Sequence, residues 1–91
     1  MKWWKRLVGK RRSQIAGMHY RVESTLYSAD GKRAAEVREF ANGEVYLFES
    51  DWVEGTTFQP RHSGKLVGPF PSSEQAERFI VATSWFTGQS S

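Results

Sequence analysis

From residue 19 apolar and polar positions alternate along the chain. In HYRVESTLYS, Tyr20, Val22 and Leu26 fall on one side of an extended segment, and His19, Arg21, Glu23 and Thr25 fall on the other, as in a half-buried strand. Asp30-Gly31, a favoured hairpin dipeptide, comes next. The run RAAEVREF then leads to a second such dipeptide, Asn42-Gly43, and on to EVYLFES, which is apolar on both sides. The pattern predicts antiparallel strands near 19–28, 33–41 and 44–52, joined by two tight turns.

Two-residue turns at both dipeptides imply a definite register. Leu26 then faces Ala35, Ser24 faces Val37 and Val37 faces Phe48, so that Tyr20, Val22, Leu26, Ala35, Val37, Tyr46 and Phe48 make one core face. The opposite face pairs Thr25 with Glu36, Glu23 with Arg38 and Phe40 with Val45, and sets Leu47 opposite Arg38. It reads as solvated, with an apolar strip at Phe40, Val45 and Leu47. Trp52 continues the core parity of Tyr46 and Phe48 and is expected in the core or at its edge. Glu39 is the misfit, because this register points it inward beside Tyr46; the sheet margin or a bulge is expected there.

Beyond Trp52, prolines and glycines interrupt the pattern. Candidate strands near 56–59 and 65–68 flank the turn QPRHSG, and Pro60 restricts the first of them to an edge or a bulge. Ser72 followed by Gln75 is a capping box, and Ala76, Phe79, Ile80, Thr83 and Phe86 recur at helical spacing until Gly88. These signals predict a helix near 73–86. The expected fold is α+β: an antiparallel β-meander of three to five strands with a C-terminal α-helix packed on one face, in a single domain over 18–88, preceded by a basic arm over 1–17 and followed by a tail at 89–91. Within it, KLVGPFPSSEQAERF resembles the strand-to-helix segment of bacterial peptidoglycan-binding SPOR domains. The resemblance spans fifteen residues, carries over no functional residue and comes without that family's repeated strand-helix arrangement.

Composition sharpens this picture. A chain of 91 residues makes one small domain, and without cysteine it has neither disulfides nor thiolates to support the core or catalyse. Its four Trp, six Phe and three Tyr must supply burial instead. Charge is divided unevenly. Lys2, Lys5, Arg6, Lys10, Arg11 and Arg12 carry six positive charges with no acid among them, whereas residues 13–91 hold seven Lys and Arg against ten Asp and Glu. Attraction to a polyanion is therefore expected in the arm, and the body is on average repulsive to phosphate.

The arm MKWWKRLVGKRR also carries two adjacent tryptophans. Wound as a helix, residues 2–8 set Trp3, Trp4, Leu7 and Val8 within an arc of about 140°, with Lys2, Lys5 and Arg6 on the rest of the circle. So short a segment folds only against a surface. An anionic membrane would take the rings at headgroup level, nucleic acid would take the charges, and a partner protein is the third option. The apolar run after the basic residues is too short for a secretory signal, so a cytoplasmic location, with peripheral membrane attachment through the arm, is expected.

Candidate chemistry in the body is sparse. Of the two histidines, His19 opens a strand and His62 sits in RHSG. An oxygen-rich cation site would need Glu49, Asp51 and Glu54 with His62, but their spacing fits no known calcium loop. The expectation is a non-enzymatic binding or adaptor module with no cofactor, no metal and no catalytic residue. Its binding residues would be Lys2, Trp3, Trp4, Lys5, Arg6, Lys10, Arg11 and Arg12, with Trp85, off the helix stripe, as a candidate partner contact. A nucleic-acid binder using the arm, and a small metal protein or enzyme using His62 with the three acids, are the alternatives.

Overall fold

The computed structural model describes residues 17–88, so the arm read from residues 2–12 lies outside the described residues. The chain forms β1 (Tyr20–Tyr27), β2 (Arg33–Phe40), β3 (Val45–Trp52), β4 (Phe58–Pro60), β5 (Val67–Phe70), α1 (Ser73–Val81) and α2 (Ser84–Thr87). The strands make one antiparallel sheet in the order β1-β2-β3-β4. Both β4 and β5 pair with the outer edge of β3. Trp52 faces Phe58 and Ser50 faces Pro60 at one end, while Leu47 faces Val67 and Val45 faces Phe70 at the other.

The first hairpin keeps the register read from the sequence, with Leu26 opposite Ala35 and Ser24 opposite Val37. Its loop is longer than two residues, because the Ser28 N–H donates to the Arg33 carbonyl at 2.9 Å. Within it the Ser28 hydroxyl and the Lys32 N–H both donate to Asp30 Oδ1, at 2.6 and 3.0 Å. These bonds, the hydroxyl first, hold the Asp30 carboxyl below its ordinary range. Farther along β1 a bulge intervenes: Val22 faces Arg38 while Ser24 faces Val37, so Glu23 is the extra residue. The bulge turns Tyr20 and Val22 to the face opposite Leu26, which corrects their assignment to the core.

The second hairpin departs from the expected register by one residue. The Phe40 N–H donates to the Glu44 carbonyl and the Gly43 N–H to the Phe40 carbonyl, both at 2.8 Å, which makes a three-residue loop, Ala41–Gly43. Gly43, at φ 89°, holds the left-handed position that closes such a loop. Consequently Val37 faces Leu47, Arg38 faces Tyr46 and Glu39 faces Val45. A one-residue slip exchanges the faces of a strand, so Leu47 and Val45 enter the core, and Tyr46, Phe48 and Trp52 leave it. Glu39 sits at the margin of the helix-bearing face, where Arg21 Nη2 donates to its Oε1 at 2.8 Å.

The core joins Ala35, Val37, Val45 and Leu47 of the sheet to Ala76, Ile80 and Phe86 of the helices, flanked by Leu26, Val67, Phe70 and Trp85. The Ser72 hydroxyl accepts from the Gln75 N–H at 3.2 Å and caps α1, as the capping box requires. The expected single helix is broken, however. Thr83 is extended (φ −84°, ψ 145°) and its hydroxyl accepts from the Phe86 N–H at 3.3 Å, so a new N-cap starts α2. That turn drops Phe86 into the core. It leaves Phe79 exposed at the rim, its ring 5.2 Å from that of Phe70. No helix among the described residues is long and apolar enough to cross a membrane.

Two outcomes follow from this geometry. Leu47→Ala and Ile80→Ala should each cost about 2–5 kcal/mol in urea denaturation, because both side chains are fully buried. Phe48→Ala and Phe79→Ala should cost less, and the reverse ranking would mean that the β3 register is misplaced. Asp30, with its folded pKa depressed, contributes stability that is present above the ordinary carboxylate range and is lost as pH falls through the lower folded value. Ser28→Ala should therefore raise the Asp30 midpoint in an NMR titration; an unchanged midpoint would remove the hydroxyl as the main cause.

Candidate functional site

With α1 and α2 packed on one face, the other face of the sheet is left with rings and without a covering element among the described residues. Alternation along the paired strands puts Tyr20, Val22, Thr25 and Tyr27 of β1 on this face. They are joined by Ala34, Glu36, Arg38 and Phe40 of β2 and by Tyr46, Phe48, Ser50 and Trp52 of β3. Two aromatic groups result. Near the start of β1, the Arg38 guanidinium lies 4.3 Å from the centre of the Tyr20 ring and 4.2 Å from that of Phe48, and its Nε donates to Glu36 Oε1 at 2.7 Å. The Phe40 ring packs 5.2 Å from Tyr20 and edge-on to Tyr46 at 5.5 Å.

The second group lies at the far end of the face. The Tyr27 and Phe58 rings approach to 6.1 Å, and Phe58 meets Trp52 edge-on at 5.4 Å. Their reach across the sheet depends on small residues between them. Tyr27, Ala34, Ser50 and Pro60 form one cross-strand row, and Ala34 and Ser50 are buried as its floor. Above that floor Tyr27 is 60% exposed and Trp52 40%, which leaves ring surface open at both sides of the row.

Charge is sorted between the two faces. On the helix side, Glu39 and Glu23 take Arg21, Glu77 accepts from the Ser24 hydroxyl at 2.7 Å, and Glu49 and Asp51 face the core side of β3. Glu74 pairs with Arg78 on the exposed surface of α1. Asp30, Glu44 and Glu54 occupy the turns. Of the strand acids only Glu36 points to the ring-bearing face, and there it is paired with Arg38. The acidic excess of the body is therefore carried by its helix side and its turns.

A polar cluster on the helix side gathers part of the alternative constellation read from the sequence. Because β4 and β5 divide the edge of β3, the turn Arg61–Gly64 crosses that edge at Glu49. Arg61 Nη1 donates to Glu49 Oε1 at 2.6 Å, and His62 Nε2 lies 3.0 Å from the same oxygen; the Glu49 side chain is 3% exposed. The Arg61 guanidinium also covers the Trp85 ring at 4.4 Å, and the Trp85 indole N–H donates to Asp51 Oδ1 at 2.8 Å. Arg33 Nε, 3.7 Å from that oxygen, is a buried donor without a hydrogen bond. The turn that delivers these side chains is strained, since His62 (φ 56°) and Ser63 (φ 57°) are left-handed non-glycine residues ahead of Gly64 (φ 84°).

The fold thus brings Glu49 and His62 together, joins Asp51 to them only through Trp85 and Arg61, and leaves Glu54 on the β3–β4 turn. No group of His, Asp and Glu among the described residues is arranged to hold a metal ion. Trp85 is half-buried against the core, with its ring and its N–H both engaged. The arm residues Lys2, Trp3, Trp4, Lys5, Arg6, Lys10, Arg11 and Arg12 lie outside the described residues. The ring-bearing face was the surface that the pattern concealed; Gly43 was the signal for it, since Asn-Gly serves a two-residue turn and the closing position of a three-residue one equally well. Comparison with family models, curated proteins and solved structures finds no match to this chain.

The cluster acts as a clamp on a strained turn, and it can be tested as one. Ser63→Gly should stabilise by up to about 1 kcal/mol, because glycine removes the left-handed penalty at a modest entropic cost. Glu49→Ala should destabilise by about 1–3 kcal/mol by stranding its partly buried arginine partner. Thermal melts of both variants measure this; destabilisation by Ser63→Gly would contradict the left-handed turn.

Proposed function

We propose that this chain is a non-enzymatic binding module for a polyanion, in which residues 2–12 supply the positive charge and the uncovered sheet face supplies the contact surface. The observation that carries the reading is the segregation of charge. The acids of the body lie on the helix side and in the turns except for Glu36, which is paired with Arg38, so the ring-bearing face adds little repulsion toward a polyanion attracted by the six cations of residues 2–12. Trp3 and Trp4 add an apolar contribution beside those charges. The proposed setting is cytoplasmic, with peripheral attachment where the polyanion is a membrane.

A metal or enzyme reading built on His62 has less support. A general base or a metal ligand needs its lone pairs directed at a substrate or an ion. Here Glu49 Oε1 already takes Arg61 and faces His62, and the Asp51 carboxylate takes Trp85. The cluster is better explained as the staple between the β4–β5 turn and α2.

The test uses the full chain. Replacing Lys2, Lys5, Arg6, Lys10, Arg11 and Arg12 with Gln should abolish binding to anionic vesicles and to oligonucleotides at low salt. If the wild type engages a single strand through all six charges, log K against log salt should have a slope of about −4. Vesicle binding would shift tryptophan emission to the blue and weaken when Trp3 and Trp4 become Ala. A wild-type protein that binds neither vesicles nor oligonucleotides at low salt would overturn the reading.

A further inference from the structure

We propose that β1 pairs edge to edge with β1 of a second copy of this chain, antiparallel about a two-fold axis that passes between Glu23 and Ser24. The outer edge of β3 is taken by β4 and β5, whereas among the described residues no strand pairs with the outer edge of β1. That edge is eight residues long, and its apolar side chains are open: Tyr20 is 45% exposed, Val22 46% and Tyr27 60%. A long edge with unpaired backbone groups and apolar side chains is a template for another strand. Because α1 lies over β2, β3 and β5, it leaves the edge clear.

The bulge decides which strand fits. The Ser28 N–H bonds to the Arg33 carbonyl and the Ala41 N–H to the His19 carbonyl. Counted in twos from these bonds along the register, Leu26, Ser24 and Arg21 direct their backbone groups at β2, and Tyr20, Val22, Thr25 and Tyr27 direct theirs outward. In a straight strand two outward positions are always an even number of residues apart. Here Val22 and Thr25 are three apart, because three steps of β1 span the two steps of β2 from Arg38 to Glu36. The outward positions are therefore symmetric about the bulge, and their side chains read Tyr-Val-Thr-Tyr. A two-fold interface requires a surface that is its own complement. About this axis Val22 meets the partner's Thr25 and Tyr20 meets the partner's Tyr27, outward position against outward position throughout. The four pairs exchange about eight N–H···O bonds, and they set β-branched against β-branched and ring against ring. On the helix-bearing face Arg21 meets the partner's Leu26 and Glu23 the partner's Ser24, so no charge directly opposes its like. Beside the axis Glu23 keeps its own counterion, since Arg21 Nε donates to its Oε2 at 2.6 Å.

Sedimentation velocity of the full chain over a dilution series tests the pairing. The wild type should show a species of twice the 10.4 kDa monomer that dissociates on dilution. Two double variants, Val22→Lys with Thr25→Lys and Val22→Glu with Thr25→Glu, set like charges opposite each other at both central pairs. Each should weaken dimerisation roughly 10-fold or more, and an equimolar mixture of the two should restore the dimer by setting the introduced lysines against the introduced glutamates. Both positions are exposed, and circular dichroism melts confirm that each variant folds. In hydrogen exchange the amides of Val22, Thr25 and Tyr27 should be slow in the dimer and fast in the dilute monomer. A wild type still monomeric at about 1 mM, a dimer that both variants leave intact, or a mixture that stays monomeric would overturn the proposal. Slow exchange of those three amides in a monomer would overturn it too, by assigning the edge to a segment of the same chain. The polyanion reading stands or falls separately, because these variants leave residues 2–12 unchanged.

Discussion

The register of β3 is the constraint on which the rest of this structure depends. It is set by the loop Ala41–Gly43, where Gly43 adopts a left-handed conformation at φ 89° and adds one residue to the turn that Asn42-Gly43 alone would make. That residue decides which side of β3 faces the helices. With it, Val45 and Leu47 meet Ala76 and Ile80, and the larger rings of Tyr46, Phe48 and Trp52 turn outward. The helix side is thereby packed with compact aliphatic residues. The aromatic area of the small domain is divided between this core, at Phe86 with Phe70 and Trp85 at its rim, and a separate surface.

The same alternation sorts charge. Acids at the core-facing positions of β3 and at the margins of the helix side need partners: Arg61 for Glu49, Trp85 for Asp51, Arg21 for Glu39. Satisfying Glu49 requires the β4–β5 connection to cross the edge of β3 at one point, and the left-handed His62 and Ser63 are the local strain that this crossing involves. Arg38, on the opposite side, finds no buried acid and settles between two rings with its Nε paired to Glu36. Clamp and ring-bearing face are consequences of a single strand whose successive residues point in opposite directions.

Much of the architecture was legible in the chain. Alternation located the first three strands, Ser72 with Gln75 marked the start of the helix, and the first hairpin fixed Leu26 opposite Ala35. Local signals failed where two turn geometries share one dipeptide. Asn42-Gly43 did not reveal its loop length, and EVYLFES, apolar on both sides, offered no alternation to correct the error. The bulge at Glu23 and the break at Thr83 were hidden for a related reason, since each relies on a polar residue acceptable in the uninterrupted element. The pairing of Glu49 with His62 was foreshadowed only as a set of residue types; their meeting depends on β4 and β5 sharing one edge.

The central claim is that the face opened by this register is the surface the protein uses. An NMR titration of the full chain with oligothymidine, following ring and methyl signals together, tests it most directly. The account predicts progressive shifts at Tyr20, Tyr27, Trp52 and the Arg38 side chain, with Leu47, Ile80 and Phe86 undisturbed. Shifts confined to the helices or to the Glu49–His62 cluster, with the rings of the open face unchanged, would contradict it.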